Sequence, residues 1–160
     1  MKNLILFRHG KSLWETGVSD FERDLNFIGI ERTHKSAKEL QKKLNFEVDA
    51  WFSSPAQRAR KTAEIAGEYF STRPEITFDE KLYTFSFFDL LKFIKTIDNS
   101  IGSALFFGHN EAYTEFVNRM SNQYIDNLPT SGIAVFSFPI SDWKEIEKGE
   151  LIHLIKPKNL

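Results

Sequence analysis

Leu4-Ile5-Leu6-Phe7-Arg8-His9-Gly10-Lys11-Ser12 is the stretch on which the fold turns. Four consecutive apolar residues that stop abruptly at a cation, an imidazole and a glycine read as a buried strand whose carboxyl end opens into a loop. In an open α/β sheet that end is the ligand crevice. Ala104-Leu105-Phe106-Phe107 repeats the pattern and runs into Gly108-His109-Asn110, and Ala50-Trp51-Phe52 runs into Ser53-Ser54-Pro55-Ala56-Gln57-Arg58. Two arginines and two histidines at strand ends predict one pocket for an anion.

Outward from these strands, apolar runs alternate with amphipathic stretches, the pattern of an α/β protein with a mostly parallel sheet covered by helices. Ile30, His34, Ala37, Leu40 and Leu44 recur at helical spacing and predict a helix over 29–44, with His34 on its face. Ala59, Ala63, Ala66 and Phe70 predict another between Pro55 and Phe70, placing Arg58 in its first turn beside the positive end of the helix dipole. Phe87, Leu90, Leu91, Ile94 and Ile97 mark a third helix, closed by Asn99 and Gly102, and Tyr113, Phe116, Val117 and Met120 a fourth. Ile76-Thr77-Phe78 is a short strand candidate. Ile133 to Phe138 and Leu151 to Ile155 read as two last strands, expected to run antiparallel. Residues 11–27 have no period and predict a long loop over the site. Most aromatic residues read as core, Phe87-Phe88 and Phe106-Phe107 among them; Trp14, Tyr83 and Phe85 differ in falling on loops near the strand ends, although substrate contact is not the favoured role for them either.

Composition narrows the function. A chain of 160 residues suits a single domain over 1–160, and 41% hydrophobic residues with 16 Phe supply ample core. The 21 basic and 22 acidic residues leave a net charge of −1, so no overall field favours nucleic acid or an anionic membrane, and any basic site is local. With no cysteine, thiolate metal sites and disulfides are excluded. No apolar stretch has the length of a membrane span or of a signal-peptide core, so a soluble cytoplasmic protein is expected.

Arg8, His9, Arg58 and His109 together have a chemistry that none has alone. Two guanidinium forks and two imidazoles suit a tetrahedral dianion, which phosphoryl transfer needs positioned and charge-stabilised. A neutral imidazole is also a competent nucleophile toward phosphorus. Taken singly, each residue has a plainer role: Arg58 pairs with Glu64 or Asp24 at the surface, His109 caps the helix after it, or the two histidines bind a metal. No HxH or HExxH spacing supports the last.

Four separated motifs carry a family resemblance. They are Leu6-Phe7-Arg8-His9-Gly10-Lys11-Ser12, the stretch Asp20 to Gly29, Ser53-Ser54-Pro55-Ala56-Gln57-Arg58-Ala59-Arg60-Lys61-Thr62-Ala63, and Gly108-His109-Asn110. In this order they resemble the histidine phosphatase superfamily of phosphoglycerate mutase-like proteins, and within it the SixA-like phosphohistidine phosphatases. Pro129-Thr130-Ser131-Gly132 is similar to the family's late loop. The resemblance implies a three-layer α/β/α sandwich and a two-step phosphatase that needs no cofactor or metal. By the same resemblance His9 is the nucleophile, Arg8, Arg58 and His109 clamp phosphate, and Lys11 and Ser12 add substrate contacts.

Lys11 after Gly10, where mutases and many monoesterases carry Glu or Gln, matches the SixA-like branch. Asp79 and Glu80 are the candidates for a leaving-group acid, and neither stands in a convincing proton-donor loop. A phosphoramidate depends less on such an acid than an ester does. Phosphohistidine, on a protein such as a histidine-containing phosphotransfer domain, is therefore the expected substrate. The rival readings are a phosphomonoesterase of a small metabolite and a non-catalytic phosphoprotein-binding module.

Overall fold

A computed structural model describes residues 1–160. The leading apolar run forms β1 (Lys2–Arg8), which pairs in parallel with β4 (Ser103–Gly108) and antiparallel with β5 (Ile133–Phe138). With β2 (Ala50–Ser53), β3 (Ile76–Phe78) and β6 (Glu150–Ile155) the sheet has the order β3-β2-β4-β1-β5-β6. β5 alone runs against the others, because β6 is antiparallel to β5 in turn. The sheet is thus mostly parallel, and the last two strands are antiparallel as their sequence predicts.

Strand side chains alternate between faces, so a continuous apolar run feeds two cores. Leu4 and Leu6 point into one, with Phe106, Phe136 and Trp143, while Ile5 and Phe7 enter the other, with Trp51, Phe107 and Val135. Helices α1 (Phe27–Lys43) and α2 (Gln57–Gly67) cover the second core through Leu40 and Ala63. Helices α3 (Phe87–Ile94) and α4 (Ala112–Met120) cover the first through Leu90, Phe116 and Val117. Three layers result, helices on both faces of one sheet.

The helix ends differ from their periodicity by a few residues, for local reasons. Helix α1 begins at Phe27, two residues before the start its periodicity predicts, because the Asn26 side chain accepts a hydrogen bond from the Gly29 N–H and caps it. Helix α2 starts after Pro55 and Ala56 and ends at Gly67, short of Phe70. Helix α3 ends at Ile94; Ile97 remains buried on a following turn whose N–H donates to the Ile94 carbonyl. The long loop after β1 ends at Asn26, one residue short of its predicted extent, and carries a turn of 3-10 helix at Asp20–Glu22 and a bridge between Ser12 and Leu25.

The chain leaves β1 toward one edge of the sheet by way of α1 and leaves β4 toward the other by way of α4, on opposite faces. The carboxyl ends of β1 and β4 therefore flank a topological switch point.

Candidate active site

Register brings the key residues together. Arg8 lies beside Gly108 in the β1–β4 ladder and the His9 N–H donates to the Gly108 carbonyl, so the next residues, His9 and His109, stand with ring centroids 5.2 Å apart. Ser54 extends β2 alongside, its N–H bonded to the Phe107 carbonyl, and its Oγ lies 2.9 Å from His109 Nε2. Arg58 reaches the same place from the first turn of α2.

All six residues expected at the site line one cleft of about 350 Å³: Arg8, His9, Lys11, Ser12, Arg58 and His109. Trp14, Asp20, Arg23, Phe85, Asn110 and Thr130 complete its wall. Neither Asp79 nor Glu80 is among them; the Asp79 carboxylate instead accepts from the Lys81 N–H in its own turn. His109 does not cap α4, where the Asn110 side chain accepts from the Thr114 N–H.

His9 Nδ1 sits 2.7 Å from the Gly10 carbonyl oxygen. A carbonyl only accepts, so Nδ1 carries the proton and the Nε2 lone pair is left without a protein partner. Burial, with Arg58, Arg8 and Arg23 adding to it, outweighs the Gly10 bond and lowers the His9 pKa to about 3. Burial, together with His9 and Arg58, lowers that of His109 to about 2. Both rings are neutral bases near pH 7.

The loop before β5 braces His9 through its backbone. Ser131 adopts φ 60°, left-handed backbone that costs a non-glycine residue on the order of 1 kcal/mol. Its N–H donates to the His9 carbonyl at 3.0 Å and its Oγ lies 2.9 Å from Thr33 Oγ1, contacts that hold it there. On the other side Gly29 allows α1 to meet the loop, since a Cβ there would lie 2.1 Å from the Lys11 carbonyl oxygen. The Gly10 N–H donates to Thr62 Oγ1, tying the loop to α2.

Four cations line the cleft (Arg8, Lys11, Arg23 and Arg58) against the single carboxylate of Asp20, in a chain whose net charge is −1. Arg58 is almost wholly buried. Its Nη1 donates to the Asp20 carbonyl at 2.6 Å and its Nη2 to Asp20 Oδ2 at 3.0 Å, so its partner is neither Glu64 nor Asp24. Arg23 Nη1 bonds Asp20 Oδ1 at 3.0 Å, and the Tyr83 hydroxyl donates to Oδ2. Burial pushes the Asp20 carboxyl upward, but bonds from Tyr83, Arg23 and Arg58 overcome it and hold the pKa at about 2.

Three of the four buried side-chain polar atoms without a hydrogen-bond partner belong to this cleft: Arg8 Nε, Arg58 Nε and His109 Nδ1. Unpaired buried polar atoms are costly, and three of the four lie on residues of this cleft.

Asp20, Arg23 and Tyr83 are the site residues that periodicity does not reveal. Other signals mark them: Asp20 and Arg23 fall in the Asp20 to Gly29 stretch that carries the family resemblance, and Tyr83 on a loop near the strand ends. Tyr83 does not line the cleft, but its ring packs 5.4 Å from that of His109.

A sequence model of the histidine phosphatase superfamily (branch 1) matches residues 4–124. The chain belongs to that superfamily. A 2,3-bisphosphoglycerate-dependent phosphoglycerate mutase of Porphyromonas gingivalis is 43% identical over 67 residues, a match that takes in 39% of this chain and only 26% of the mutase. In fold the chain is similar to the protein histidine phosphatase SixA solved with tungstate, at TM-score 0.82 and 20% identity over 98% of both chains. An Agrobacterium tumefaciens protein described as a phosphohistidine phosphatase SixA superposes at TM-score 0.81 with 24% identity, again over 98% of both.

Proposed function

We propose that this chain is a phosphohistidine phosphatase acting on a phosphorylated protein, with His9 as nucleophile. The Nε2 lone pair of His9 attacks phosphorus in line while Arg8, Arg58 and His109 hold the equatorial oxygens and Lys11 and Ser12 contact the substrate nearby. The substrate's P–N bond breaks and its electron pair returns to the leaving imidazole, which takes a proton from solvent at its other ring nitrogen and departs neutral. Water then attacks the phosphoryl group on His9, releasing inorganic phosphate and restoring the imidazole. The Gly10 carbonyl, accepting from Nδ1–H, favours the positive charge that the ring gains when Nε2 is phosphorylated. No cofactor enters this scheme.

The state of Asp20 carries the reading. It is the one carboxyl side chain lining the cleft, and three donors keep it ionised. An alkoxide needs a proton as its P–O bond breaks, and no carboxylic acid in the cleft holds one to give. An imidazole leaving group does not impose that demand.

A protein substrate is favoured by the rim. Of twelve large hydrophobic residues that are exposed, eight fall in the segments 13–28 and 85–88, both of which contribute to the cleft wall. Two of them, Trp14 and Phe85, line the cleft itself, and exposed apolar side chains beside a charged cleft suit a folded partner such as a histidine-containing phosphotransfer domain more than a small sugar phosphate. No helix is long and apolar enough to cross a membrane. A cytoplasmic setting belongs to the same proposal.

The test compares wild type with His9→Ala on phosphohistidine, a phosphorylated transfer-domain protein and a panel of sugar and acid phosphates, without added metal. Fast cleavage of the P–N substrates, slow ester cleavage and loss of both in the variant are expected. Esters turning over faster would replace this reading with a small-metabolite phosphatase. Phosphate binding without turnover of any substrate would replace it with a binding module.

A further inference from the structure

We propose that Trp14 and Phe85 form an aromatic subsite that receives the leaving imidazole of the substrate and selects for it. The inference rests on the reading of His9 as nucleophile toward phosphohistidine. It begins from a contrast within the cleft wall: among its twelve residues these two alone are large and apolar. Both are also open to solvent, Trp14 at 81% and Phe85 at 52%, whereas the residues at the base are buried, His9 at 8% and His109 at 1%.

In-line displacement dictates where the leaving group goes. Phosphorus lies between the attacking Nε2 of His9 and the departing nitrogen, so a nucleophile at the base sends the leaving group toward the mouth. Trp14 and Phe85 are the exposed apolar members of the cleft wall, and their exposure against the buried His9 and His109 sets them on its solvent side.

Each ring is held from behind. The Arg23 guanidinium covers Trp14, its carbon 3.3 Å from the ring centroid, and Arg23 is itself anchored on Asp20 and on the Leu13 carbonyl. One indole face is thereby fixed and the rest of the ring is left exposed. Phe85 packs edge-on against His109 at 5.3 Å and against Tyr83 at 5.9 Å. Exposed aromatics braced in this way contribute little to the core. What they offer is a planar, rigid contact for a planar ring, by offset stacking or edge-to-face approach.

The subsite's selectivity is therefore for phosphorus bonded to an aromatic nitrogen over phosphorus bonded to an aliphatic or unsubstituted one. Phosphoramidate has a P–N bond and the same tetrahedral phosphoryl oxygens but carries an unsubstituted amine nitrogen and no ring.

The experiment measures kcat/KM of wild type, Trp14→Leu, Phe85→Leu and the double variant on phosphohistidine and on phosphoramidate. Leucine keeps apolar bulk and removes the ring, and both positions are exposed, so circular dichroism is expected to match wild type. Each single variant is expected to lose about 3- to 10-fold on phosphohistidine and less than about 2-fold on phosphoramidate. Free imidazole is expected to inhibit wild type more strongly than the double variant. Equal losses on both substrates, or no loss on either, would overturn the subsite. Wild type that cleaves neither P–N substrate would instead overturn the assignment of the reaction, which the wild-type arm reads before any variant does.

Discussion

Acidification destabilises this protein through its two site histidines, and the size of the effect follows from their burial. An unfolded histidine titrates near 6.5, whereas folding lowers His9 to about 3 and His109 to about 2. Between those limits the unfolded chain binds protons at both rings that the native protein refuses. Stability therefore falls as pH drops through 6.5 and continues to fall toward the native values. From pH 7 to pH 5 the loss is about 2 kcal/mol for each ring and about 4 kcal/mol for the pair, and it requires only that both stay neutral at pH 5. Urea unfolding followed by circular dichroism at the two pH values measures it. His9→Asn retains a side-chain N–H for the Gly10 carbonyl, and His109→Gln retains a polar group for Ser54, while neither titrates. Each variant is expected to recover about 2 kcal/mol of the pH-dependent loss. If either variant loses as much stability on acidification as wild type, that ring is protonated in the native state and the account of the site's electrostatics is wrong.

Arg58→Lys keeps the charge but loses the planar fork, and kcat on phosphohistidine is expected to fall by about 10²- to 10³-fold; a loss under about 5-fold would remove Arg58 from the phosphate clamp. Asp20→Asn removes the carboxylate shared by Arg23, Arg58 and Tyr83. Because Asp20 is 44% exposed the screened cost is about 1 kcal/mol, read as a Tm lower by about 2–4 °C, and an unchanged Tm would mean that these ion pairs contribute nothing to stability. Gly29→Ala places a Cβ 2.1 Å from the Lys11 carbonyl oxygen, which has no flexible end to yield. A loss of about 3 kcal/mol in urea unfolding is expected, and a neutral result would show that α1 and the loop after β1 separate freely.

The parts of this fold that can be read in the sequence are those in which local pattern and tertiary environment agree. Leu4 to Phe7 is buried on both faces, so its apolar run shows the strand, and Arg8-His9 shows where the strand stops. Repeating that pattern at Gly108-His109 is enough to predict that the two histidines share a pocket, because parallel neighbours end at the same level. The resemblance to a known superfamily then supplies roles that pattern alone does not.

The contacts around Arg58 cannot be read from the sequence, for a physical reason. Asp20 and Arg23 sit in a loop without period, and Asp20 meets Arg58 and Tyr83 only when segments 38 and 63 residues away fold against it. Sequence proximity points Arg58 to Glu64 or Asp24, while tertiary geometry points it to Asp20. Likewise Asp79 and Glu80 follow a strand as a proton donor might be expected to, yet neither joins the cleft wall. Trp14 and Phe85 are set apart in the sequence by their loops near the strand ends, and their exposure on the cleft wall separates them further from the core phenylalanines.

The central claim is that phosphorus passes through His9, and the most direct measurement is to catch it there. Wild-type protein is mixed with excess phosphohistidine, quenched in base within milliseconds to seconds, and digested for mass spectrometry. The account predicts a phosphoryl group on the peptide containing His9, stable to base and labile to acid, which appears before inorganic phosphate saturates and is absent from His9→Asn. Release of phosphate at full rate with His9 never labelled, or with the label on another residue, would contradict it.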